Sequence, residues 1–187
     1  MPIKMTPEEY YEAFTKGNYN DFLENPSSVM KAFNSAVAAS HLADCYYNYN
    51  KINNSELVSK YESLTDFIKF INQDTNNFFK DIRSISNAYK HLYTGLNHNF
   101  ADYSSISSAG TIESIVFEGE EINQISEELL DENTYDLIVV YTRKTGEQIQ
   151  FIKAIEVVID FWEIMINNIK SSENEPCCRE IISRGNR

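Results

Sequence analysis

Cysteine, positive charge and long apolar runs are all scarce in this sequence. Its three cysteines, Cys45, Cys177 and Cys178, are too few and too badly placed for a disulfide framework, which argues for a reducing compartment. Lys and Arg number 16 against 28 Asp and Glu, a net charge of −12. That balance argues against broad nucleic-acid binding, which needs a basic footprint to displace counterions, while leaving room for a local basic patch. The most apolar run, residues 151–169, is interrupted by Lys153, Glu156, Asp160, Glu163 and Asn167, so it does not read as a membrane span. The opening MPIKMTPEEYY lacks the apolar stretch of a secretion signal. The expected location is the cytoplasm, with no membrane contact. The sequence has no P-loop, G-x-G-x-x-G, H-E-x-x-H or G-x-S-x-G motif, and most familiar ATPase, dehydrogenase, zinc-protease and hydrolase readings lose their support. No cofactor is expected. No metal is expected either, because Cys177-Cys178 has no further Cys or His nearby at zinc-type spacing.

What is present is an ordinary globular composition. The chain has 187 residues, 42% hydrophobic and 24% charged. A chain of this size buries roughly two-thirds of its unfolded surface, enough for a core without staples. Thr6-Pro7-Glu8-Glu9 predicts a first helix, with Thr6 as cap, Pro7 at the first helical position and Glu9 closing a capping box. Gly17 and the following Asn-rich stretch predict that this helix is short. A second helix is expected from Asn25-Pro26-Ser27-Ser28 to about Asn48, on the helical spacing of Val29, Phe33, Ala36, Val37, Ala43 and Tyr47. Its many Ala and Ser residues predict close packing against a neighbour. Leu57, Tyr61, Leu64, Ile68 and Ile71 alternate steps of four and three, predicting a third helix from Ser55. Phe78, Ile82, Ile85, Tyr89 and Leu92 predict a fourth, from about Thr75 to Tyr93, stopped by Gly95. Residues 94–110 read as a long polar loop.

Beyond it the periodicity changes. Ile112–Phe117, Leu137–Thr142 and Gln148–Phe151 read as strands, the last two joined by a turn at Lys144-Thr145-Gly146-Glu147. Between the first two, residues 118–136 carry eight Asp and Glu and no Lys or Arg. This acidic segment is either bait for a basic partner or a solvated loop or short helix around Ile122, Ile125 and Leu129. A last helix, Ile152–Ile169, is apolar on most of its circumference, so burial on more than one side is expected, between the bundle and the hairpin. The expected architecture is therefore mainly α: a bundle of four to five helices with a small antiparallel hairpin or three-stranded element before the last helix. Residues 1–170 would form one α-rich domain with a β insertion at about 111–151, and residues 171–187 a flexible tail.

Two clusters carry candidate chemistry. On a helical wheel, Lys80, Arg83, Asn87, Lys90, His91 and Thr94 share roughly a third of the circle, opposite the core. This basic stripe in an acidic protein is either a phosphate or carboxylate site or the solvated back of an amphipathic helix, with Lys90 and His91 near a C-terminal end that favours cations. The second cluster is His41-x-x-Asp44, on adjacent turns of the second helix. His41 lies at the edge of the core stripe and Asp44 closer to it. The pair either orients a base or fixes helix packing. A buried Asp needs partners, and Arg83, Lys90 or His91 are of the right kind.

The segments SHLADCYYNYN (40–50) and DIRSISNAYKHLYTG (81–95) together resemble bacterial helical bundles of HEPN-like type. Those proteins carry an A/H-x-x-D helix and a helix with Arg, then Asn, then Lys-His. A hairpin followed by a helix containing Phe161-Trp162-Glu163 is also similar to that group. The resemblance implies an intracellular homodimer in a bacterial stress, toxin–antitoxin or phage-defence setting, and the wide apolar coverage of the last helix together with an acidic surface fits a protein that binds a partner. The resemblance also implies an alternative, a metal-independent ribonuclease in which His91 takes the 2′-hydroxyl proton and Arg83 stabilises the charged phosphorane. RNA would be a ligand only in that case. Seven residues separate Arg83 from His91, more than is usual in the family. Eight helical steps give a rise of about 12 Å and an offset of about 80°, so Asn87 or a second subunit would have to complete the site. A third reading uses the same basic stripe to sense a small anion such as a phosphate or nucleotide.

Overall fold

The structure is a computed structural model, and it describes residues 5–90, 104–106, 111–117 and 136–173. The first helix begins as its capping box requires. The Thr6 hydroxyl accepts the Glu9 amide at 3.2 Å, and the Glu9 carboxylate accepts the Thr6 amide at 2.9 Å. Helix α1 (Pro7–Tyr10) does not stop where the sequence predicts. It passes through a π-helical stretch, Tyr11–Lys16, into α2 (Gly17–Leu23), and Gly17 itself is helical. Glycine in a helix costs about 1 kcal/mol, whereas burying one Phe contributes roughly 1.5–3 kcal/mol. Phe22, on the turn after Gly17, is buried and meets the Phe151 ring edge-on at 5.0 Å. Packing therefore outweighs the local preference.

Helix α3 (Val29–Asn53) is capped by Ser28, whose hydroxyl accepts the Lys31 amide at 3.3 Å. It touches α1, α2, the π-helical stretch, α4, α5 and α6. Ala32, Ala36, Ala39 and Ala43 are fully buried on it, the close packing its small residues predict. The Trp162 indole donates to the Ala39 carbonyl at 3.2 Å, an approach that a larger side chain on that turn would obstruct. Around Trp162 lie the rings of Tyr46, Phe67, Phe79 and Phe161.

The third predicted helix starts later than its apolar stripe suggests. Ser55–Leu57 form a single 3-10 turn, and α4 spans Leu64–Asp74. Ser63 sets the start: its hydroxyl accepts the Asp66 amide at 3.2 Å and donates to the Asp66 carboxylate at 3.0 Å. Leu57 and Tyr61 still pack against the core, which is why they fall in step with a helix they do not join. The fourth helix, α5 (Phe78–Lys90), also starts later than expected. Asn76 and Asn77 have φ of +51° and +66°, the left-handed region that Asn tolerates best after Gly. They reverse the chain between α4 and α5. The predicted extension of α5 to Tyr93 lies outside the described residues.

Strands β1 (Ile112–Phe117), β2 (Asp136–Thr142) and β3 (Gln148–Gln150) form one antiparallel sheet in that order. The register pairs Ile112 with Tyr141 and Val116 with Leu137. Gly146, with φ +86°, supplies the left-handed residue of the β2–β3 turn. Phe151, predicted to end the last strand, instead opens α6 (Phe151–Glu173), so the helix runs past the expected end at Ile169 and past the expected start of the tail at 171. Helix α6 packs against α3, α5, β2 and β3, the many-sided burial its apolar circumference predicts. The rest of the predicted tail, with Cys177 and Cys178, and the acidic segment up to residue 135 lie outside the described residues. The architecture is mainly helical, with a three-stranded antiparallel sheet before the last helix. Among the described residues no helix is long and apolar enough to cross a membrane.

Candidate functional site

Helix α5 presents charged side chains in two directions. On the outward side, Arg83 donates through Nη1 to the Asp44 carboxylate of α3 at 3.2 Å. The side chains are 28% and 36% exposed, so the pair lies at the rim of the α3–α5 contact. This is a partner of the kind predicted for Asp44. His41, one turn earlier on α3, is half-buried. Tyr10 of α1 stands near the same place: burial first, then the neighbouring Cys45 and Asp44, raise its phenol above the ordinary value. Of the other stripe residues, Lys80 is exposed and Asn87 half-buried. Lys90 closes α5, but its side chain, together with His91 and Thr94, lies outside the described residues. The structure thus brings Arg83 to Asp44, and the Arg83–His91 geometry is not among the described contacts.

On the inward side, Asp81 is 1% exposed. Its Oδ2 accepts from the Tyr141 hydroxyl at 2.7 Å and from the Arg143 Nε at 2.9 Å, with a further bond from Arg143 Nη2. Arg143 also donates to Glu147 across the β2–β3 turn at 2.7 Å and lies over the Phe78 ring at 5.7 Å. A buried carboxylate needs this much compensation, because desolvation costs several kcal/mol unless charge and hydrogen bonds replace water. Burial first, then the charge of Asp81, raises the Tyr141 phenol far above its ordinary value. The bond to Asp81 raises the Arg143 guanidinium further. Both donors therefore keep their protons throughout the working pH range. Beside this cluster the Ser84 hydroxyl accepts the Ser105 amide at 3.0 Å, and the Lys144 amide donates to the Ser105 carbonyl at 2.8 Å. Residues 104–106, within the predicted polar loop, are in this way fixed to α5 and to the β2–β3 turn.

Sequence reasoning missed Asp81, Tyr141 and Arg143. One signal was available: Asp81 lies three residues after Phe78 and four before Ile85, so it falls on the apolar face of α5, where an unpaired carboxylate does not persist. Its partner, 62 residues away, has no local signature.

The described residues contain no group of three or more side chains suited to a metal ion. Cys45 is a free thiol whose pKa burial first, and then Glu8, push up, the opposite of what a nucleophilic or ligating thiolate needs. Helix α5 thus offers a rim-exposed ion pair on its outward side and, on its inward side, a buried network that joins helix to sheet. Compared with known proteins, the chain matches no family model, no curated protein and no solved structure.

Proposed function

We propose that this chain is a HEPN-like cytoplasmic protein that dimerises and works by binding a protein partner. The observation that carries the reading is the Arg83–Asp44 pair. In a metal-independent ribonuclease the guanidinium offers its charge to the phosphorane. Here a carboxylate from another helix, at 3.2 Å, offsets that charge, and the two side chains read as a fixed polar feature of the α3–α5 face. The net charge of −12 favours the same reading, since an acidic chain as a whole repels the phosphates of RNA. The half-buried His41, Asp44, Arg83 and Asn87 would then form the recognition face. The bacterial stress or phage-defence setting comes with the resemblance.

The test is incubation of the purified protein with total RNA in the presence of a chelator, beside Arg83→Ala and His91→Ala. Intact RNA at high protein concentration is the expected result. Metal-independent cleavage that both substitutions abolish would overturn the reading in favour of a nuclease. Light scattering on the same sample measures the dimer, and a thermal-shift screen with phosphates and nucleotides is expected to leave the melting temperature unchanged.

A further inference from the structure

We draw no further inference here: the strongest candidate, the outward face of α3 on which Met30 and Ile52 are exposed on either side of the half-buried His41, is a surface patch for which nothing in the structure shows what covers it.

Discussion

Asp44–Arg83 and Asp81–Arg143 have the same chemistry, and both use helix α5. They differ in where the helix turns them. Arg83 faces α3 at a rim where its side chain and that of Asp44 keep 28% and 36% of their exposure. Asp81 faces the sheet with 1%. At the rim, water screens the attraction and would solvate either group if the other were removed. In the interior no such substitute exists, and removing one partner strands a charge. Burial rather than the identity of the pair therefore decides which holds the fold together and which stays in contact with solvent.

The comparison is broken most directly at Asp81. Asp81→Ala leaves Arg143, which is 21% exposed, without its main partner, and is expected to cost about 3 kcal/mol in urea unfolding, the lower end of the range for a broken buried pair because Arg143 keeps some water. Tyr141→Phe removes one donor to the same carboxylate and should cost about 1–2 kcal/mol by the same measurement.

High pH sharpens the contrast among buried phenols. Burial is the largest cause that pushes Tyr11, Tyr19 and Tyr46 from 10.0 up to about 12. The folded state holds these protons more tightly than the unfolded state does. The associated stability is therefore complete below pH 10 and is lost as pH rises towards 12. Tyr141 is raised further still, by burial and then by the neighbouring Asp81. Phenolate absorbance should accordingly show Tyr141 ionising only on unfolding, so that Tyr141→Phe leaves the folded part of the titration curve unaltered. The smallest effect is expected at the rim: Arg83→Ala should cost about 0.2–1 kcal/mol of stability. A loss as large as that of Asp81→Ala would erase the distinction between the two pairs.

The legibility of these features in the sequence follows the range of the interactions behind them. The sheet was readable because Ile112–Phe117 and the β2–β3 turn carry their own signals in β-branched residues and Gly146. Asp44–Arg83 was readable as one of a few options, since Asp44 lies close to the core stripe of α3 and needs a cation, and Arg83 is one of the few on the polar side of α5. The passage through Gly17 was not, because the packing of Phe22 on Phe151 is a contact between opposite ends of the chain. Leu57 and Tyr61 kept helical step without joining α4, since periodicity records burial and not the hydrogen bonds that start a helix at Ser63. The Asp81 network stayed hidden because the half that compensates the carboxylate arrives with β2, and only the misplaced charge on an apolar face hinted at it.

The coupling energies of the two pairs, measured by double-mutant cycles in urea unfolding, address the division of α5 most directly. The cycles use Asp81→Ala with Arg143→Ala and Asp44→Ala with Arg83→Ala. The inner pair is expected to couple at about 1.5 kcal/mol or more and the outer pair at less than about 1 kcal/mol. Equal coupling, or a stronger outer pair, would contradict the assignment of the inner face to the fold and the outer face to recognition.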